Sequence, residues 1–301
     1  MQPLHHHTCA VIVTYKYALE RLEALIAALK GQVDHIYLVD NNEHSDAIGY
    51  DGLLGRFPFC SIIANQSNLG LAKALNQGIR KALAARYRYI LLMDQDSRPG
   101  PEMVDRLIQA GFKLFNNTKT VAAVGPTIVE QNHCGRLPFL KFNATRIKKI
   151  IPDLKNNDPV AVDFLISSGC LIDSNVIRNQ GLMDETLFID NVDMEWCMRV
   201  RQAGYALYGI PNAELYHRLG DSSCLIPFIN RPIFLHGPDR QYYSVRNRLR
   251  LYRRGYVPLS WKIQDLPRLI FKLIFFSFFV SPRRKNAKKM LKGIGDGFRN
   301  G

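Results

Sequence analysis

Two aspartates separated by one residue, Asp94 and Asp96, follow an apolar run from Tyr89 to Leu92. This run predicts a buried strand, with both carboxylates leaving its end. Once the chain bends, both can turn toward one ligand, and hard oxygen ligands suit Mg²⁺ or Mn²⁺ held against a diphosphate. The alternative is that both aspartates only form a turn ahead of Pro99-Gly100.

A second pair of aspartates, Asp190 and Asp193, stands at the predicted start of a helix. This helix is predicted from Asn191 to Gln202, with Gly204 just past its end. An ionised carboxylate at this start could accept a proton as a general base. Capping and first-turn residues favoured by the helix dipole would give the same pattern, so a structural role stays open.

Strand and helix patterns alternate between residues 8 and 125, which predicts an α/β fold with a mostly parallel sheet covered by helices on both faces. Strands are predicted at Cys9–Tyr15, Ile36–Asp40, Ser61–Ala64, Tyr89–Asp94 and Val121–Val124, and helices at Ala18–Lys30, Leu69–Ala85 and Pro101–Phe115. Ligands of such sheets bind at the carboxyl ends of the strands. Three of these ends are polar: Thr14-Tyr15, Asp40-Asn41-Asn42 and Asp94-Gln95-Asp96. The site is expected at this edge.

The rest of the chain has a weaker pattern. Residues Glu130 to Asp158 lack periodicity and predict a long loop. Strand segments are predicted within Val160–Ile172, and short strands at Tyr205–Tyr208 and Glu214–His217. A basic helix is predicted at Asp239–Arg254.

The composition is that of an ordinary globular protein, with 301 residues, 47% hydrophobic and 22% charged. No run reaches the roughly 18 to 20 apolar residues of a membrane span, which excludes a polytopic membrane protein. The first seven residues lack the charged and apolar regions of a secretory signal, so we expect a cytoplasmic protein. The six cysteines form no zinc or redox pattern and are interpreted as reduced core residues.

The net charge of +14 belongs to the last 71 residues. Residues 1–230 hold equal numbers of acidic and basic side chains, whereas residues 231–301 hold 17 Lys or Arg and three Asp. Within this tail, the apolar stretch Leu269–Val280 is flanked by six cations: Arg268, Arg283, Arg284, Lys285, Lys288 and Lys289. The pattern is typical of a helix lying in an anionic membrane interface, and the alternative is a core helix.

Several segments also carry a family resemblance. In chain order they are Val11–Tyr15, Val39–Asn42, Asn68–Gly78, Asp94–Asp96, Gly181–Arg199 and Tyr216–Gly220. Together they are similar to family 2 glycosyltransferases, whose fold is called GT-A. The amino-acid sequences of these segments, together with those of Tyr243–Asn247 and Lys292–Gly297, resemble the sequences of the rhamnosyltransferase branch of this family.

The resemblance implies a GT-A catalytic domain at residues 1–230, with a nucleotide-sugar half (1–125) and an acceptor half (126–230), followed by a basic helical membrane-proximal extension (231–301). It implies that Asp40 contacts the base of the donor, that Asp94 lies near the ribose, and that Asp96 binds Mg²⁺ or Mn²⁺ together with His217. The other implied nucleotide-sugar residues are Thr14, Tyr15, Asn42, Asn68 and Gly70. A purely structural role is the alternative for two residues of the implied site: Asn68 could be a simple N-cap, and His217 could be a buried structural histidine.

The resemblance also implies that Asp193 is the base of an inverting transfer, and that Ser168, Gly169, Glu195 and Trp196 line an acceptor pocket. The family commonly has Glu-Asp at the catalytic helix, whereas this chain has Val192-Asp193, so Glu195 or Asp190 would have to tune the base. Glu195 and Arg199 could instead be an ordinary pair on one helix face.

The implied reaction moves L-rhamnose from dTDP-L-rhamnose to a lipid-linked saccharide at the cytoplasmic face of the membrane, in cell-surface polysaccharide synthesis. The alternatives are another nucleotide sugar, a nucleotidyltransferase or dehydrogenase, and a non-catalytic basic module. The chain has no G-x-G-x-x-G after its first strand and no Walker A sequence, which disfavours a dehydrogenase or P-loop enzyme. It also lacks the motifs of nucleic-acid-binding modules, so no nucleic-acid partner is expected.

Overall fold

The computed structural model describes residues 7–44, 47–117, 120–130, 135–143, 146–155, 158–217, 222–226 and 229–299. These residues form two compact units. The first unit comprises Met1–Lys141, Lys149–Phe188 and Val192–His217, and the second comprises Phe142–Lys148, Ile189–Asn191 and Arg218–Gly301. The domain division predicted at residue 230 stays a prediction.

The elements alternate between strands and helices up to residue 117 and are more mixed afterwards. The strands are β1 (Thr8–Thr14), β2 (His35–Asp40), β3 (Cys60–Ala64), β4 (Tyr89–Asp94), β5 (Arg98–Pro99), β6 (Val121–Glu130), β7 (Gly135–Arg136), β8 (Phe139–Phe142), β9 (Ile147–Ile150), β10 (Val160–Val162), β11 (Cys170–Asp173), β12 (Ala206–His217), β13 (Ser222–Ile226) and β14 (Ile229–Leu235). The helices are α1 (Leu19–Leu29), α2 (Ala47–Arg56), α3 (Leu71–Ala84), α4 (Met103–Asn117), α5 (Ser174–Gln180), α6 (Val192–Gln202), α7 (Pro238–Tyr252), α8 (Leu259–Phe278) and α9 (Arg283–Arg299).

The central sheet has the strand order β10-β12-β6-β11-β4-β1-β2-β3. Strands β4, β1, β2 and β3 are parallel neighbours, and β6 and β12 form a second parallel pair. Strand β11 runs antiparallel to both β4 and β6 and joins the two parallel blocks. The predicted α/β fold with a mostly parallel sheet is therefore confirmed.

Each face of the sheet has its own hydrophobic core, because successive side chains of a strand point to opposite faces. In β1, Val11 packs on the face covered by α3, whereas Ile12 packs on the face covered by α1 and α4. Gly78 of α3 comes so close to β1 that an added Cβ would lie 2.4 Å from Cγ1 of Val11. A larger residue at this position would push α3 off the sheet.

Several elements differ from the prediction. The segment Glu130–Asp158, predicted as a loop, contains β7 and the paired strands β8 and β9. These strands are two to four residues long, too short for a hydrophobic period to show. The two strands predicted on either side of Pro211 are one strand, β12, because a shift in its register against β6 between Ile210 and Glu214 accommodates the proline. Helices α2, α5 and α9 had no prediction.

The cysteine prediction is confirmed where the structure describes the side chains. Cys9, Cys60, Cys170 and Cys197 are buried free thiols. Burial raises the pKa of all four thiols, that of Cys60 to about 12, so they stay protonated at neutral pH. Cys134 lies outside the described residues, and the side chain of Cys224 lies outside them as well.

Within its described residues, the second unit has three helices around a small core of its own. Val245 of α7, Leu269 and Phe276 of α8, and Met290 of α9 are buried together. Leu269 and Phe276 were predicted to belong to a membrane-inserting stretch, and the structure corrects this because both lie in the core. Among the helices that the structure describes, none combines the length and apolarity needed to cross a membrane.

Candidate active site

Parallel register brings the polar strand ends of the first unit to one edge of the sheet. Thr14 at the end of β1 is level with Asp40 at the end of β2, and Val13 is level with Asp94 at the end of β4. The predicted placement of these three strand ends at one sheet edge is confirmed.

Asp94, Asp96 and His217 form a cluster at this edge. Each offers one ligand atom, and these atoms lie within 4.8 Å of one another. Oδ2 of Asp94 is 4.0 Å from Nε2 of His217, and Oδ1 of Asp96 is 3.8 Å from Nδ1. The carboxylates are 34% and 42% exposed, whereas the imidazole is buried. Two carboxylates and one imidazole suit Mn²⁺ and also accommodate Mg²⁺.

Buried hydroxyl groups hold this cluster from behind. Ser97 Oγ lies 2.6 Å from Nδ1 of His217 and 2.7 Å from Oγ of Ser168. The backbone N–H of Asp94 donates to the same Ser168 hydroxyl over 3.2 Å. Because Ser97 contacts Nδ1 of His217, Nε2 is the nitrogen available to a ligand. Metal-bound histidines typically have this arrangement, in which one ring nitrogen binds the metal and the other forms a hydrogen bond with a neighbouring protein group.

Gln95, between the two aspartates, fixes the loop that carries them. Its amide accepts from the backbone N–H of Tyr15 over 2.7 Å and donates to the carbonyl of Tyr15 over 2.9 Å. This reciprocal pair joins the ends of β1 and β4. Sequence reasoning assigned no role to Gln95, although its place inside the Asp-x-Asp motif was a usable signal.

Asp40 combines full burial with an unsatisfied oxygen. Its Oδ1 accepts from the backbone and side-chain nitrogens of Asn42, at 3.1 and 2.6 Å. Its Oδ2 is buried and has no hydrogen-bond partner among the described residues. A buried acceptor in this state is costly unless a ligand donates to it. Thr14 differs, because its buried hydroxyl contacts the Val39 carbonyl and the Tyr50 hydroxyl.

Three asparagines shape the turn ahead of α3. Asn41 Oδ1 accepts from Asn65 Nδ2 and from the backbone N–H of Leu69, and Asn41 Nδ2 donates to Asn68 Oδ1. Asn68 Oδ1 also accepts from the backbone N–H of Gly70. The N-cap of α3 is Gly70, which corrects the alternative reading of Asn68 as that cap. Asn41 and Asn65 were missed, and only the run Asp40-Asn41-Asn42 pointed to the first of them.

Gly70 has to be glycine for two reasons. Its φ of +84° is unfavourable for other residues, and an added Cβ would lie 2.5 Å from the ring of Phe188. The carbonyl of Phe188 in turn accepts from the backbone N–H of Ala72 in α3. The turn before α3 is therefore packed directly against the segment before α6.

Asp193 lies in the first turn of α6 and is partly exposed. Its Oδ1 accepts from the backbone N–H of Met194 over 2.8 Å, so it also has the contact of a first-turn residue. A small cavity beside it is lined by Ser167 and by apolar side chains that include Leu92, Met183 and Trp196. An ionised carboxylate there has both the favourable helix dipole and a largely apolar surrounding.

The four residues proposed for the acceptor pocket are tightly packed. Glu195 is 1% exposed and forms a bidentate pair with Arg199, at 2.7 and 3.1 Å, which is the helix-face pair of the alternative reading. Trp196 is buried and donates to the carbonyl of Gly181. Gly169 has a φ of +82°, and an added Cβ would lie 2.6 Å from Pro126. Ser168 is buried behind the His217 cluster. Their role with an acceptor stays a prediction.

The first unit thus has the nucleotide-binding sheet and the paired carboxylates of a GT-A enzyme. The family model of glycosyl transferase family 2 matches residues 9–179. The chain belongs to this family and is a glycosyltransferase.

Two curated relatives match most of the chain. It is 33% identical to the dTDP-rhamnosyl transferase RfbF of Shigella flexneri, over 95% of this chain and 92% of that protein. It is 23% identical to the galactofuranosyltransferase GlfT1 of Mycolicibacterium smegmatis, over 80% of this chain and 81% of that protein.

Solved structures share the fold at low sequence identity. A structure of GalNAc-T7 with UDP, GalNAc and Mn²⁺ has a TM-score of 0.60 and 15% identity, covering 95% of this chain and 55% of that one. This chain therefore spans about half the length of that protein. Residues 1–349 of Staphylococcus aureus TarS in complex with UDP have a TM-score of 0.57 and 13% identity, covering 96% and 79%.

Proposed function

We propose that this glycosyltransferase moves L-rhamnose from dTDP-L-rhamnose, with inversion, to a lipid-linked saccharide during synthesis of a cell-surface polysaccharide such as an O-antigen. The observation that carries the proposal is the Asp94, Asp96 and His217 cluster at the sheet edge of a family 2 fold. The similarity to RfbF over 95% of the chain supports the choice of sugar and nucleotide.

The proposed donor site uses the buried oxygen of Asp40 that has no hydrogen-bond partner among the described residues, together with the Asp94, Asp96 and His217 cluster. Asp40 Oδ2 would accept an N–H of the nucleotide base, which would satisfy its buried acceptor. Asp94 would lie near the ribose, and Asp96 and His217 would hold Mg²⁺ or Mn²⁺ against the diphosphate. The metal would neutralise charge that develops on the leaving dTDP.

Asp193 is the proposed base. It would take the proton from the acceptor hydroxyl as the sugar leaves its diphosphate, and the proton would rest on the carboxylate. Burial and pairing of Glu195 with Arg199 leave that carboxylate no free oxygen for the reaction, so we assign the base to Asp193 alone.

The second unit is the proposed contact with an anionic membrane surface at the cytoplasmic face. A set of apolar side chains of α8, each 46–69% exposed, follows helical spacing along the helix: Leu259, Ile263, Leu266, Ile270, Phe271, Ile274 and Phe278. Exposed cations follow at the start of α9: Arg283, Arg284, Lys285 and Lys288. Lys289 pairs with Asp239 and adds less to this charge.

Apolar insertion and charge attraction would act together at such a surface. Each cation near an anionic leaflet contributes about 1 kcal/mol, and the attraction weakens with salt. A lipid-linked acceptor stays in the bilayer, so an enzyme bound there would meet it by diffusion in two dimensions. The choice of a membrane over nucleic acid follows from the row of exposed isoleucine, leucine and phenylalanine side chains.

The test is a panel of nucleotide sugars incubated with the protein, Mg²⁺ or Mn²⁺, and membranes that contain lipid-linked acceptors. We expect free dTDP to be released from dTDP-L-rhamnose much faster than free nucleotide from UDP-sugars. Preferred turnover of a UDP-sugar would retain a family 2 transferase and overturn the rhamnose assignment. Turnover of an NAD-linked substrate alone would overturn the proposal as a whole.

A further inference from the structure

The segment ahead of α6 has an unusual backbone. Phe188, Asp190 and Asn191 have φ angles of +65°, +64° and +61°. Asp and Asn tolerate this region better than most residues, whereas a bulky residue such as Phe188 disfavours it strongly. Three positive φ angles within four residues are still uncommon, and surrounding contacts are needed to keep such a backbone. Asp193 follows two residues after Asn191, so this backbone determines where α6 begins.

Helix α7 supplies such contacts to Ile189 and Asp190 within the second unit. Nδ2 of Asn247 donates to the carbonyl of Ile189 over 2.7 Å and to that of Asp190 over 2.8 Å. Nε of Arg240 donates to Oδ1 of Asp190 over 3.0 Å. Asn247 is completely buried, so its hydrogen bonds do not compete with water.

The orientation of the Asn247 amide is fixed by its neighbour. Oδ1 of Asn247 accepts from Nε and Nη2 of Arg246, at 3.0 and 2.9 Å. A guanidinium can only donate and a backbone carbonyl can only accept, so the amide has one possible orientation. The Arg246 guanidinium is itself held over the rings of Tyr242 and Tyr243. This chain of contacts gives a structural role to the segment Tyr243–Asn247.

We propose that Asn247 is a positioning residue, whose amide holds the carbonyls of Ile189 and Asp190 and thereby sets the backbone that leads into α6 and Asp193. Arg240 assists through the side chain of Asp190. The inference rests on the proposed role of Asp193 as the base. It assigns to α7 a function in transfer as well as in the packing of the second unit.

The principal variant is Asn247→Asp, which keeps the shape but cannot donate to the two carbonyls. We expect kcat to fall about 10- to 100-fold, because small displacements of a reacting group have effects of this size, while KM for the donor changes less than about twofold. Amide hydrogen exchange at residues 192–195 should become faster.

The matched control is Asn286→Asp. Asn286 of α9 is equally buried and donates to the carbonyls of Phe276 and Val280. The Asn286→Asp variant should have a lower thermal stability than the wild type, with an unchanged kcat and unchanged exchange rates at residues 192–195. A wild-type kcat in Asn247→Asp, or an equal loss of kcat in both variants, would overturn the proposal.

Two further experiments keep the proposal testable if the Asn247→Asp variant does not fold or if the proposed function is wrong. If Asn247→Asp does not fold, Arg240→Gln should lower kcat and Arg240→Lys should restore part of it; a wild-type kcat in Arg240→Gln overturns the proposal. If the wild type turns over no nucleotide sugar, the proposed function fails. Hydrogen exchange then decides, and unchanged rates at residues 192–195 in Asn247→Asp and Arg240→Gln count against positioning.

Discussion

The two compact units differ in how far they bury their large apolar side chains. The first unit buries them on both faces of its sheet and leaves polar groups at one edge. Of the eleven large apolar side chains that are exposed among the described residues, ten lie between Leu259 and Phe298 in the second unit, and the other is Ile151. The first unit is therefore built to hold a polar ligand, whereas the second presents a surface suited to an apolar partner.

If this contrast reflects two functions, changes in one unit should leave the function of the other intact. Variants of the sheet edge should lose transfer but still bind vesicles. Variants of the exposed surface of α8 and α9 should lose vesicle binding but still turn over the donor with a soluble acceptor.

The largest effect is expected for Asp96→Ala. Loss of one of the two carboxylates of the Asp94, Asp96 and His217 cluster should reduce transfer below detection, because the charge of the leaving diphosphate is no longer neutralised. The measurement is dTDP release, with circular dichroism and vesicle binding as checks of the fold. Asp51→Ala, an exposed aspartate of α2, is the control and should behave as the wild type. Full activity of the wild type in excess EDTA, or full activity of Asp96→Ala, would contradict a metal role.

The next effect is that of Asp193→Asn, which keeps the shape and much of the capping capacity. We expect a loss of about 10²- to 10⁴-fold in kcat with nearly unchanged donor binding, since the amide cannot accept the proton. Steady-state kinetics and the melting temperature should be measured together. Lower thermal stability with an unchanged kcat would support the capping role instead.

Variants of the exposed surface of the second unit should change activity less, but they should strongly weaken binding to membrane vesicles. Changing Arg283, Arg284, Lys285 and Lys288 to Gln should weaken binding to anionic vesicles about 100-fold or more at low salt, at about 1 kcal/mol for each cation. Changing Ile270, Ile274 and Phe278 to Gln should weaken it as well. The control is Ile151→Gln, since Ile151 is 67% exposed in the first unit. Equal sedimentation with neutral and anionic vesicles, or with neither, would argue against a membrane role.

The smallest effect concerns the stability of the second unit. Burial lowers the pKa of Lys272 from 10.5 to about 8, and its Nζ donates to the Ser244 hydroxyl. Above pH 8 the folded protein releases a proton that the unfolded chain keeps, so stability rises with pH in this range. Relative to Lys272→Met, the wild type should gain about 1–2 kcal/mol between pH 8 and 9.5 in urea unfolding. If the free energies of unfolding of the wild type and Lys272→Met change in parallel with pH, this prediction is refuted.

The first half of the fold was predictable because its strands are continuous apolar runs and its helices are amphipathic. Helix α1, for instance, buries Leu22, Leu25, Ile26 and Leu29, which is one face of a helix. Short strands such as β8 and β9 carry no usable period, and α9 is so rich in Lys and Arg that its first residues were interpreted only as a charged flank.

The cluster at the sheet edge was predictable in its carboxylates and not in its supports. Asp94 and Asp96 stand at a strand end, and strand ends meet by topology. Ser97 contacts Ser168 and His217, which lie 71 and 120 residues further along the chain, and no local pattern records such pairs.

The central claim is that the Asp94, Asp96 and His217 cluster holds a divalent cation against a nucleoside diphosphate. Electron paramagnetic resonance of Mn²⁺ tests it directly, because the signal of free Mn²⁺ falls when the ion binds protein. In the presence of dTDP we expect one Mn²⁺ to bind for each wild-type chain and none to bind to Asp96→Ala. Equal binding of Mn²⁺ by both proteins, or by neither, would contradict the account.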